Sequence, residues 1–254
     1  AVVGIGSAVP SLVVRAGIGT TAGFVGIGST DPQHGLDAST IASANIGAAN
    51  SQISSTGSAI IGGADHIVTG DFDVIAGGRL NNISGGEFCF VGGGSGIDVD
   101  HSDYSSSIGG FNNDISSSSY SVIVGGYNNL ISGVGATAGG GAIVGGFNNS
   151  ISGTNTSDAF LGAGRDNKLS GTYTFIGAGA TNTCYADNGV LVGGVSNKVY
   201  GTSASILGGA SNIVSGAYSY AFGRRALVRS GHDGAAVLAD GQGRDHGSSG
   251  EHTL

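Results

Sequence analysis

The densest cluster of chemistry-bearing side chains is Asp98, Asp100, His101 and Asp103, followed at once by Tyr104. Carboxylates around an imidazole offer hard oxygen donors and a titratable nitrogen, the makings of a cation site or an acid–base pair. The overlapping run Gly93-Gly-Ser-Gly-Ile-Asp-Val-Asp100 matches most of a calcium-binding nonapeptide. That motif works in tandem, each ion shared between successive turns. Here it occurs once, and Asp100 stands where an apolar residue belongs. The cluster therefore reads as a solvated polar loop, with no metal and no cofactor expected. His232-Asp233 and Asp245-His246 are the other acid–base candidates. Adjacent residues point to opposite sides of a strand and no nucleophile accompanies either pair, so both read as ordinary polar residues of the cap. No column of Asp or Glu suggests the facing carboxylates of glycoside hydrolysis. These residues predict a protein that does no chemistry.

The elements that must position them are set by a doublet of small residues, mostly Gly-Gly, that returns about every fifteen residues. It starts at Gly47, Gly62, Gly77, Gly92, Gly109, Gly125, Gly145, Ala163, Ala178, Gly193, Gly208 and Gly223. Such a unit is too short for a helix pair but holds two short strands and two turns, one coil of a solenoid. Aligned on Val122-Ile-Val-Gly-Gly-Tyr-Asn-Asn-Leu-Ile-Ser-Gly133, the coils show two apolar columns. The Ile123 column takes Ile60, Ile75, Phe90, Ile143, Leu161, Ile176, Leu191 and Ile206, broken by Ser107. The Ile131 column takes Ile53, Val68, Ile83, Ile115, Ile151, Leu169, Cys184, Val199 and Val214, broken by Asp98. β-branched residues stacked in register suit parallel strands.

A third column holds Asn81, Asn113, Asn129, Asn149, Asn167, Asn182, Asn197 and Asn212, with Ser51, His66 and Gly96 as exceptions. Asn tolerates left-handed corners and can bond from coil to coil, so this column is read as corner chemistry rather than a binding site. The glycine doublets are read the same way, since no helix follows to bind phosphate.

The residues flanking the first column are apolar too: Val122 and Val124, Val74 and Ala76, Cys89 and Val91, Ala142 and Val144, Val190 and Val192. A strand apolar on both faces is buried on both, which predicts that the outer face packs on other copies of the chain, three around one axis. Cys89 and Cys184 lie several coils apart, too far for a disulfide, and read as small core residues.

Residues 1–40 form a neck segment in which Val3-Gly-Ile-Gly-Ser-Ala-Val-Pro10 recurs as Val25-Gly-Ile-Gly-Ser-Thr-Asp-Pro32. Residues 41–223 form the roll, and 224–254, where the period is lost, cap its open edge. Three steps longer than the rest predict loops at Asp98–Asp103, about Gly133–Gly141 and Thr154–Asp158. Loops on a regular scaffold carry recognition. The candidate contact residues are therefore Asp98, Asp100, His101, Asp103, Tyr104, Thr154, Asn155, Thr156 and Asp158.

Composition bounds the partners. The 254 residues include 52 Gly and carry a net charge of −8, with no basic run, which excludes nucleic acid and anionic membranes. No apolar stretch approaches the ~20 residues of a membrane span, so membrane insertion is not expected. With Ala1 first and no Met anywhere, the chain reads as a processed product or a piece of something longer.

The repeated Gly-Gly-(Tyr/Phe)-Asn-Asn-x-Ile-Ser-Gly, as at 125–133 and 145–153, resembles the head repeats of trimeric autotransporter adhesins, and still more the Gly-rich roll repeats of phage fibres. The segment Val25 to Asp37 is similar to a motif that precedes such repeats in fibre-like proteins. Ala217-Tyr-Ser-Tyr-Ala-Phe-Gly-Arg-Arg-Ala226 is similar to the segment that closes them. The resemblance implies an all-β, left-handed parallel β-roll assembled as a homotrimer. It implies a virion fibre or spike segment that joins other virion proteins at its N-terminal end and attaches to a glycan or protein of a host surface. A capsid-decorating fibre and a bacterial adhesin head on the cell surface are the alternatives.

Overall fold

The computed structural model describes residues 43–133, 140–153, 157–241 and 245–250. Nearer the N-terminus it describes four short strands, Val2–Val3, Leu12–Arg15, Phe24–Gly26 and Leu36–Asp37, hydrogen-bonded in that order into one sheet. The rest is a parallel β-solenoid of about 12 turns with about 16 residues per turn. Each turn gives one strand to each of two 13-stranded sheets. One sheet runs from Ala44–Asn45 to Ala236–Leu238, the other from Gln52–Ile53 to His246–Gly247.

Most strands are only two residues long, so no coil is stable alone. Each contributes one inward side chain, and the two inward files meet as a single core. Ile60, Ile75, Ile123, Ile143, Leu161, Ile176, Leu191 and Ile206 form one file, fully buried. Val68, Ile83, Ile115, Ile151, Leu169, Cys184, Val199 and Val214 form the other. Burying each large side chain contributes about 1.5–3 kcal/mol.

The sequence alignment slips by one residue in the coil around residues 90–98. Val91, not Phe90, pairs with Ile75 and Ser107, and Val99, not Asp98, pairs with Ile83 and Ile115. Three consecutive glycines, Gly92 to Gly94, permit two alignments. Gly94 is the one whose positive φ matches Gly78 and Gly110, and Ser95 bridges Arg79 and Phe111. A one-residue slip exchanges the two faces of a strand. Phe90 and Asp98 therefore face outward, and Ile97 rather than Gly96 fills the asparagine column. Ser107 does sit in the core.

The two corners of the coil differ. At the first, the second glycine of the doublet and the residue three before the next core position carry positive φ, as Gly126 (96°) and Asn128 (56°) do. The left-handed residue is thus Asn128, and Asn129 has another task. It is fully buried, accepts the Asn149 backbone N–H on its Oδ1 at 3.0 Å, and donates Nδ2–H to the carbonyls of Gly125 and Gly146. The same bonds link Asn113, Asn149, Asn167, Asn182, Asn197 and Asn212 into a continuous ladder. Up to Val214 this corner keeps one length from coil to coil, as Ile75 to Ile83, Ile123 to Ile131 and Ile206 to Val214 show; in the next coil, from Ala221 to Val228, it is one residue shorter.

Up to Val214 the variation in coil length falls in the second corner. In the coils of sixteen residues one left-handed residue is added there: Gly85, His101 or Ser117. Asp98–Asp103 is accordingly no excursion. Asp98–Asp100 is a strand paired on both sides, and the extra residue is His101 alone. Beyond Gly223 the stack continues, with Ala226–Val228, Ala236–Leu238 and His246–Gly247 in register with the coil below.

Candidate functional site

The outer faces of the two sheets have opposite chemistry, and each is a direct projection of the repeat. On the sheet that begins with Gln52–Ile53, the outward rows carry Asn82, Asp98, Asp114, Leu130, Ser150 and Lys168, with Ile67 and Ile213 toward the ends, and beside them Ser84, Asp100, Ser116 and Ser132. Asp98 and Asp114 are direct cross-strand partners. Asn82 donates to Asp98 Oδ1 at 2.9 Å, while Asp114 Oδ1 is buried with no hydrogen-bond partner. Desolvation raises both carboxyls, Asp114 to about 6; the charges of Asp98 and Asp100 raise Asp114 further, and that of Asp100 raises Asp98. The pair borders a groove of about 340 Å³ walled by Asn112, Asn128, Asn148 and Leu130. Among the described residues no three His, Cys, Asp or Glu converge as metal ligands.

Asp100 behaves differently. The Ser84 hydroxyl donates to it and His101 Nδ1 lies 2.8 Å from its Oδ1, and together they hold its pKa below the usual range. His101 is thus tied to the carboxylate beside it, its ring lying over Gly85. Asp103 accepts the Glu87 backbone N–H at 3.0 Å. Tyr104 stacks between Phe88 and Tyr120, ring centroids 5.1 and 5.2 Å away, in an exposed column that Phe72 begins. The structure therefore brings these five candidates together as rungs of the repeat, not as a projecting loop. Asp158 occupies a left-handed corner position. Thr154, Asn155 and Thr156, like residues 134–139, lie outside the described residues. His232 Nδ1 meets Ser248 Oγ at 2.7 Å, and His246 Nε2 meets Asp240 Oδ1 at 3.0 Å.

The other sheet presents a largely apolar face, interrupted in its outward files by Ser106 and Ser205. One outward file reads Ala59, Val74, Phe90, Ser106, Val122, Ala142, Phe160, Phe175, Val190, Ser205, Tyr220. Two residues on, the second reads Ile61, Ala76, Gly92, Ile108, Val124, Val144, Gly162, Gly177, Val192, Leu207, Phe222. No charge occurs in either. Where the first file carries Phe, the second carries Gly, and each ring lies over its glycine: Phe90 on Gly92, Phe160 on Gly162, Phe175 on Gly177. Bulk in one file is matched by absence in the other, which keeps the face level. Ile61 and Ile108 are each 51 % exposed and Leu207 is 55 %. Around the glycine bend the apolar surface continues into the stacked rings of Phe111, Tyr127 and Phe147.

The sequence located this face through Val122, Val124, Val144 and Val192. It misplaced Cys89 and Val91, which point inward, and so missed the Phe–Gly pairing. It also passed over Lys168 and Lys198, although each directly follows a column asparagine. No protein-family model matches the chain, and no curated protein matches it.

Proposed function

We propose that the chain is a non-catalytic attachment rod, with three copies wound left-handed and packed along one axis through their apolar faces. The observation that carries this reading is the level, uncharged outer face that runs the length of one sheet. A monomer rarely leaves so large an apolar area to water. A partner that covers it must repeat at the strand spacing of about 4.8 Å over some twelve rungs, and a second copy of the chain does so by construction. A threefold ring needs two different patches per chain, one for each neighbour. The sheet face and the Phe111–Tyr127–Phe147 column, on either side of the glycine bend, supply two. The likeness of the Gly-Gly-(Tyr/Phe)-Asn-Asn repeats to those of phage fibres and adhesin heads supports a place on a virion or cell surface, facing a host glycan or protein. Light scattering on the intact chain tests the assembly. The expected mass is three times 24.6 kDa. A monodisperse monomer, or an Ile108→Asp, Val124→Asp variant of unchanged mass, overturns it.

A further inference from the structure

The polar sheet changes character along its length. Its first half carries the acids Asp98, Asp100 and Asp114; its second half carries no acid in its outward rows but Lys168, Thr183 and Lys198 in one and Tyr185 and Tyr200 in the other. Lys168 and Lys198 are the only lysines in the chain. In a protein with net charge −8 and nine basic residues in all, both stand in one groove of about 410 Å³.

We infer that this groove binds an acidic oligosaccharide, its acid groups on Lys168 and Lys198 and its sugar rings on Tyr185 and Tyr200. Each lysine pairs in register with Thr183 between them, so their backbone positions stand two rungs apart, about 10 Å along the rod. An extended chain lying along the axis spans both. Neither lysine makes an ion pair among the described residues. Asp166 also lines the groove, and its carboxylate is engaged by Asn148 Nδ2 at 2.7 Å and Arg165 at 3.4 Å. Tyr185 and Tyr200 are 50 % and 44 % exposed, with ring centroids 6.0 Å apart, and offer flat apolar surface with a hydroxyl at the rim. Asn148, Thr181 and Thr183 add the neutral donors and acceptors that sugar hydroxyls require. The chain's overall negative charge argues against nucleic acid, whose binding draws on many cations at once. The groove opens on the polar sheet, across the core from the apolar sheet face, with Asn148 at its edge beside Phe147.

The inference deepens the attachment reading and is independent of the number of chains. The test is titration of the intact protein with a carboxylated oligosaccharide (oligogalacturonate), a sulfated one (heparin-derived), a neutral dextran oligosaccharide and poly-glutamate. Binding of either acidic sugar is expected, weakening as salt rises, and the two arms tell carboxylate from sulfate. Lys168→Gln and Lys198→Gln should each cost about tenfold in affinity, the loss of one charge-assisted contact. Tyr185→Ser with Tyr200→Ser should weaken sugar binding with unchanged circular dichroism. Equal binding of poly-glutamate or of dextran, no binding of any probe, or full affinity in the double lysine variant overturns the assignment. A monomer that still binds overturns the threefold assembly and leaves the groove standing.

Discussion

Asp73 is completely buried at the second corner, in the position that Ser58 fills one coil before it and Ser105 two coils after. Those hydroxyls do two things. Each accepts a backbone N–H from the next coil, and each donates to a carbonyl of the next coil, Ser58 to Gly70 and Ser105 to Ser118. Asp73 Oδ1 accepts the Cys89 N–H at 2.7 Å, but its Oδ2 has no partner. The equivalent acceptor is the Gly86 carbonyl, and only a protonated carboxyl can donate to it. Burial pushes the Asp73 pKa up to about 6 from 3.8, against the Cys89 bond, with Asp71, Glu87 and Asp103 adding to the rise. The folded chain thus holds this proton more tightly than the unfolded one. Its contribution is complete below about pH 4, falls as pH rises to about 6, and is lost above. The difference at pH 7 is of order 3 kcal/mol. Asp73→Asn keeps the shape and makes the donor permanent, Nδ2–H to Gly86 in place of the acid proton. Thermal unfolding of both proteins at pH 4 and pH 7 should show similar Tm at pH 4. At pH 7 the variant should lead by roughly 6–12 °C. The offset between the two proteins isolates this group from other carboxyls. An offset that does not change with pH would refute the reasoning, because it would mean Asp73 is ionised and tolerated in the fold.

Two adjacent glycines should respond oppositely to alanine. At Gly126 a Cβ meets the Gly146 backbone and φ is +96°, so Gly126→Ala should cost 3 kcal/mol or more by urea unfolding, on the order of a backbone clash plus left-handed strain. At Gly125 nothing lies within 4 Å, and Gly125→Ala should be neutral to within about 1 kcal/mol. In the ladder, Asn149→Ala removes the acceptor of the buried Asn167 N–H and the donor to the Gly145 carbonyl, a loss of about 3 kcal/mol, whereas the exposed Asn148→Ala should lose about 1 kcal/mol. Cys89 and Cys184 are buried free thiols pushed up to about 11, so iodoacetamide at pH 8 should label neither until the chain is unfolded.

The solenoid was legible because its constraints are columnar: a position that faces the core must be apolar in every coil, and twelve repetitions expose the rule. What escaped were features that depend on register within one coil. The run Gly92-Gly-Gly94 hides a one-residue choice, and that choice moved Phe90, Val91, Asp98 and Val99 to the wrong faces. The same slip made Asp98–Asp103 look like an insertion, when the added residue is a single left-handed histidine. The division of labour between Asn128 and Asn129 was also hidden. Both are asparagine, yet one supplies a backbone conformation and the other a buried amide. Lys168, Lys198, Tyr185 and Tyr200 were within reach of the alignment, but outward positions vary freely, and their meaning emerges only when the rows are read along the axis.

The constancy of one corner beside the variability of the other makes length a countable property of this molecule. Because each coil touches only its neighbours, a segment such as Ala178 to Val192, which starts and ends at the same point of the repeat, can be duplicated or lost with every seam intact. Unequal recombination among near-identical stretches would then lengthen or shorten the rod in steps of about 4.8 Å, without new folding information. Coils added or removed would change the rod's length as marks change a ruler, while peptide grafted into the second corner would alter its surface at one height.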